Sequence, residues 1–247
     1  GIVISASDVF IEGFIVEGYK KGTGLLCYGD NISIRNNEIR HFNTSIFVEG
    51  SSCHVEENEI KNNECGIWLN GSYGAEIKNN FVTDNWYGVW GEYASSPVIQ
   101  NNNFSYNAWY AVWMEGKDGQ IGGNDFYRNW YCIYLYNSRY FIINNNSIYG
   151  NIHGPQFVNS SYNIIEDNTI TLYVRNLSDQ TAYITQALID KPYGEQPIPI
   201  RILTATPVII KPKQVKPIPI QIPTGLQGIY IITIVESGGS QATQPIE

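Results

Sequence analysis

Ile77-Lys78-Asn79-Asn80-Phe81-Val82 is followed by Ile99-Gln100-Asn101-Asn102-Asn103-Phe104 and then by Ile121-Gly122-Gly123-Asn124-Asp125-Phe126. Each copy reads apolar, x, x, Asn, x, apolar. The pattern extends in both directions, through Ile34–Ile39 and Val55–Ile60 on one side and Ile143–Ile148 and Ile165–Ile170 on the other. The shared asparagines are Asn37, Asn58, Asn80, Asn102, Asn124, Asn146 and Asn168, spaced by 21 and then by 22 five times. An earlier copy at Ile11–Val16 lacks the asparagine. A fixed period near 22 marks a solenoid, and apolar–polar alternation within each copy marks strands rather than helices. The expected fold is all-β: a right-handed, single-stranded parallel β-helix of about eight coils over residues 1–170. The asparagine column is expected to be a structural ladder. Asn tolerates the left-handed backbone of a tight corner, and stacked amides hydrogen-bond from coil to coil.

A second set of segments begins eight residues after each ladder asparagine, with one residue inserted in the coil holding Trp113: Ser45–Glu49, Gly66–Asn70, Gly88–Glu92, Ala111–Glu115 and Cys132–Tyr136. Alternation turns Ile46, Ile67, Val89, Val112 and Ile133 inward and Phe47, Trp68, Trp90, Trp113 and Tyr134 outward. Tyr87, Tyr110 and Tyr131, each preceded by a tryptophan, form a neighbouring column. So many aromatics on one face call for a cover or a ligand. Three roles compete: a surface covered by the C-terminal region or another subunit, a platform for stacking sugar rings, or a cross-strand ladder with no ligand. Glu92 and Glu115 fall on adjacent coils beside this stripe, about 5 Å apart at the backbone by strand spacing. That is the separation of carboxyls in a retaining glycosidase, although stacked acidic residues on an acidic solenoid have a plainer reading as a solvated face. The three histidines, His41, His54 and His153, fall out of register and suggest no catalytic or metal triad; the chain carries no cofactor motif and is read as binding no metal.

The pattern resembles the right-handed parallel β-helix repeats of carbohydrate-binding and sugar-hydrolase proteins, including periplasmic copper-maturation proteins of the NosD sort. That resemblance implies the fold and leaves the function open among lyases, hydrolases, epimerases, adhesins and surface proteins. Residues 171–247 change style to short strands with Pro-Ile-Pro-Ile at 197–200 and 217–220, which predicts a small antiparallel β-sandwich with those prolines at edges. It resembles the immunoglobulin-like modules of prokaryotic, and especially archaeal, surface proteins.

The 247 residues carry 23 acidic and 15 basic side chains, a net charge of −8 that excludes tracking of a nucleic-acid backbone. No apolar run of membrane-spanning length occurs. Seven sequons, at Asn31, Asn43, Asn70, Asn103, Asn145, Asn159 and Asn176, fit an exported, glycosylated chain outside the cell or on its surface. Cys27, Cys53, Cys65 and Cys132 lack zinc spacing. The coil geometry holds Cys65 and Cys132 roughly 14 Å apart, so free thiols are expected. The chain opens directly on strand-like Gly1-Ile2-Val3-Ile4, so another copy is expected to cover that end unless the chain is a fragment. The sequence therefore favours a non-enzymatic, self-assembling subunit of a cell-surface filament or layer, a head-to-tail homo-polymer. The alternative is a carbohydrate-binding or carbohydrate-active β-helix, a glycosidase or lyase acting on polysaccharide through the aromatic and acidic face.

Overall fold

A computed structural model describes residues 1–175, 181–190, 198–204, 206–222, 230–236 and 241–246. Every regular element among them is a strand. Each coil of the solenoid contributes one strand to each of three parallel sheets. The coil holding Trp90, for example, places Tyr87–Ser95 in the first sheet, Val98–Gln100 in the second and Asn103–Ser105 in the third. Eight strands stack in the first sheet and eight in the second, which gives the eight coils the repeat implies.

The interior is built by columns. Val55, Ile77, Ile99, Ile121 and Ile143 pair in register up the second sheet. Ile60, Val82, Phe104, Phe126 and Ile148 do so up the third. Ile46, Ile67, Val89, Val112 and Ile133 fill the first. Nearly all are fully buried, and Phe104 and Phe126 stack with ring centres 5.2 Å apart. Alternation assigned these faces correctly, because in a strand it has only two outcomes. All four cysteines are buried and free.

The corners refine the expectation. The ladder asparagines line up along the axis and are buried, as the repeat required. The left-handed backbone, however, belongs to the residue before each of them: Asn36, Glu57, Asn79, Asn101, Gly123, Asn145 and Asp167 have φ of +52° to +66°. The ladder residue itself is therefore selected for its amide. Asn80 Nδ2 donates to the Val55 carbonyl on the coil below and to Asn102 Oδ1 on the coil above, while Asn102 Oδ1 also accepts the Asn80 backbone N–H. A second ladder, absent from the sequence reading, turns the corner between the third and first sheets. Asn63, Asn85, Asn107, Asn129 and Asn151 follow the first ladder by five residues and make the same bonds. Two amide columns thus satisfy corner backbone groups that burial would otherwise leave unpaired.

The third sheet does not stop with the solenoid. Thr169–Arg175 pairs in parallel with Ser147–Tyr149 through its first residues and antiparallel with Val215–Gln221 along its whole length. Ile198–Ile202, Ala182–Asp190, Tyr230–Glu236 and Gln241–Ile246 then follow as antiparallel neighbours, with Val208–Ile210 beside Ala182–Asp190. One expectation is corrected here: Pro217 and Pro219 lie in a strand with neighbours on both sides. They are two residues apart, so both lack an N–H on the same edge, where the pairing with Ile198–Ile202 is limited to Arg201 and Ile202. The other edge keeps its full ladder, and on the short edge the Pro219 carbonyl still accepts from Leu203 N–H at 2.8 Å.

Candidate functional site

The outer face of the first sheet carries three aromatic columns, because identical registers place like residues above one another. At the strand centre, Phe47 meets Trp68 edge-on at 5.5 Å, and Trp90 stacks on Trp113 at 4.0 Å with planes 11° apart. Tyr134 follows Trp113 in register. At the strand start, Tyr87, Tyr110 and Tyr131 stack at 6.1 and 5.0 Å. One residue earlier, the indoles of Trp86, Trp109 and Trp130 stack at 6.4 and 5.9 Å with planes 9° and 6° apart. The columns also touch across the face, as Tyr110 and Tyr134 do at 5.0 Å. The aromatic face expected from the sequence is thus one continuous surface, and the indole column is its most exposed part, Trp86 at 51%.

Holding these columns straight requires a compensation. Ala108 is an extra residue ahead of Trp109, so Tyr110 pairs with Tyr87 at a separation of 23. The register returns at the far end of the strand, where Glu92 and Tyr93 together oppose Glu115 across a bulge before Ala94 meets Gly116. Tyr93 takes φ +54° there. A strict period would have set Ala108 in the indole column; the shift sets Trp109 there, and its backbone N–H donates to the Trp86 carbonyl at 2.9 Å.

The acidic pair is drawn into different company. Glu92 pairs in register with Asn70, and Glu115 Oε1 accepts from Asn137 Nδ2 at 3.2 Å. Glu115 lines a shallow groove of about 480 Å³ at the strand ends with Tyr93, Lys117, Asn137 and Arg139. A larger groove of about 710 Å³ lies at the opposite end of the strands, against Trp86, with Lys20, His41, Asn62, Glu64 and Asp84 on its walls. All three histidines find partners that the sequence reading missed, His41 lying 3.1 Å from Glu17. His153 extends the tyrosine column, its ring 4.4 Å from Tyr131 at 15°, and the spacing 87, 110, 131, 153 was the signal. His54 comes together with Glu56 and Glu76 from neighbouring coils, correcting the expectation that no such triad forms. His54 Nδ1 lies 3.2 Å from Glu76, but Lys78 Nζ already bonds that carboxylate at 2.6 Å and holds its pKa below the usual range, so the cluster carries its own cation.

The sequons are distributed over the whole solenoid. Asn43, Asn145 and Asn159 are exposed, Asn70 and Asn103 are half-buried in strands, and Asn31 is exposed with its Nδ2 donating to Asp8 at 2.6 Å. Asn176 lies outside the described residues.

Stacked coils with this repeat define the class: residues 65–172 match the family model described as a right-handed β-helix region. Among solved structures, the chain is similar to the enzymatically active domain of tailspike protein 2 from bacteriophage CBA120, with TM-score 0.57 and 10% identity over 98% of this chain and 57% of that one. It also aligns with DFA-IIIase from Arthrobacter chlorophenolicus A6 without its lid, at TM-score 0.43 and 14% identity over 68% of this chain and 41% of that one. A third alignment, to the Dettilon tailspike protein, has TM-score 0.44 and 11% identity over 97% and 67% of the two chains. The chain thus spans little more than half the length of the phage domain it resembles. No curated protein matches it. No described helix is long and apolar enough to cross a membrane.

Proposed function

We propose that this chain is a carbohydrate-binding β-helix that acts outside the cell and holds polysaccharide on the aromatic face of its first sheet. The observation that carries this reading is the exposed indole column of Trp86, Trp109 and Trp130, flanked by tyrosines and by a groove lined with hydrogen-bonding side chains. Sugar rings present apolar faces bordered by hydroxyls, so flat aromatics beside amides and carboxylates match both parts of their surface. The enzymatically active phage domain with the same fold is in keeping with this reading. The filament reading rests on how the chain begins and gains nothing from the fold, so the carbohydrate alternative is preferred. Glu92 and Glu115 are given no catalytic role, since the bulge and Asn137 separate their surroundings.

The test is affinity electrophoresis against a broad polysaccharide panel, with tryptophan fluorescence followed in parallel. At least one polysaccharide should retard the protein and shift its emission, and Trp109→Ala or Trp130→Ala should weaken that retardation. Unchanged mobility and emission across the panel would refute the proposal.

A further inference from the structure

The aromatic platform ends in a step at the lower end of its indole column, below Trp86. The upper face of Trp86 is covered by Trp109 at 6.4 Å. At the opposite end, Trp130 is succeeded in its column by Ile152, and His153 approaches it at 6.3 Å. Below Trp86 the column continues as Glu64 and Asn43, because Cys65 pairs with Tyr87 above and Thr44 below. Both are polar and exposed. Trp86, Glu64 and Asn43 all line the groove of about 710 Å³, a volume within the range of about 300–1,000 Å³ usual for ligand sites. Asp84 stands two residues before Trp86, and Asn62 two residues before Glu64, on the same groove wall.

We infer that this step is a pyranose subsite for an uncharged sugar: the ring stacks flat under Trp86, above Glu64 and Asn43, and its hydroxyls bond to Glu64, Asn62 and Asp84. An indole face supplies apolar contact to the C–H face of the ring without fixing its identity. Carboxylates accept hydroxyl protons strongly, and the bond is charge-assisted. The same two carboxylates repel a uronate or sulfate placed between them, in a chain whose net charge is already −8. Lys20 and His41 line the far end of the groove, and His41 is engaged with Glu17 at 3.1 Å. Neither side chain forms an ion pair with Glu64 or Asp84 among the described residues. This subsite rests on the carbohydrate-binding reading, and it adds both a position and a selectivity.

The experiment compares wild type, Trp86→Ala, Glu64→Gln and the Glu64→Gln/Asp84→Asn double variant. The probes are two neutral polymers, dextran and galactomannan, together with any other neutral polysaccharide the panel retains, and two uronate polymers, polygalacturonate and alginate. Trp86 and both acids are exposed, so folding should survive, and circular dichroism checks it. Wild type should bind a neutral polymer and neither uronate. Trp86→Ala should weaken neutral binding by about tenfold or more, the scale of one lost stacking contact. The double variant should gain uronate binding. If Trp86→Ala binds as wild type while Trp130→Ala is impaired, the subsite is refuted and the broader reading stands. Preference of the wild type for uronates would overturn the selectivity. If no polymer of either charge binds, the carbohydrate reading itself fails.

Discussion

Asn101 and Asn102 are adjacent, alike in chemistry, and placed by the fold in unrelated jobs, which makes their substitution a sharp test of how the solenoid is held. Asn102 is 2% exposed. Its Oδ1 accepts from Asn80 N at 2.9 Å and Asn80 Nδ2 at 3.0 Å. Its Nδ2 donates to the Ile77 carbonyl at 2.9 Å and to Asn124 Oδ1 at 3.0 Å. Asn102→Ala removes these four side-chain bonds and strips the Asn80 backbone N–H of that acceptor. At about 1 kcal/mol of net stability per bond, the loss is about 4 kcal/mol. Asn101 is exposed and holds φ +56°. Asn101→Ala should cost about 1 kcal/mol from left-handed strain, and Asn101→Gly should stay within about 0.5 kcal/mol because glycine has no Cβ to strain. Gly123 already stands in that column at φ +66°. The assay is denaturant unfolding by tryptophan fluorescence, with hydrogen exchange at the Asn80 amide to register opening of one coil against its neighbours. If Asn102→Ala costs no more than Asn101→Ala and leaves the Asn80 amide protected, the ladder is not what fastens coil to coil.

Burial pushes the Cys27 and Cys132 thiols up to about 12 and raises Cys53 and Cys65 as well. The native protein at pH 8.5 should therefore leave dithionitrobenzoate nearly untouched and release its four thiols only on denaturation; prompt native reaction of any of them would contradict the packing. In the first three coils, Arg35 and Arg40 hold Glu12 and Glu17 below the usual carboxylate range, and Lys61 does the same for Glu38. A depressed folded pKa stabilises above the unfolded value near pH 4 and loses that contribution as pH falls through the folded value. The thermal midpoint should accordingly drop below about pH 4 and less so in high salt, since these exposed pairs are screened. A midpoint insensitive to both would show the ion pairs to be idle.

The sequence by itself determined the period, the parallel stacking and the two faces of the solenoid strands. Equivalent residues 22 apart can be buried together only if each coil climbs one strand spacing. From Ile46, Ile67 and Val89 inward and Phe47, Trp68 and Trp90 outward, the aromatic face could be drawn without coordinates. The second ladder was equally present in the spacing of Asn63, Asn85 and Asn107, but it went unread because a corner's buried donors are visible only once the chain turns. Tertiary structure alone decided three things. It moved the left-handed strain onto the residue before each ladder asparagine, since the ladder amide must point along the axis. It absorbed Ala108 with a compensating register change at Glu92–Tyr93, which keeps Trp109 between Trp86 and Trp130. It also opened a groove against Trp86, where the indole column gives way to the polar side chains of Glu64 and Asn43. A repeat specifies what recurs from coil to coil. Where the recurrence breaks, only the packed chain shows which side chain is left facing water.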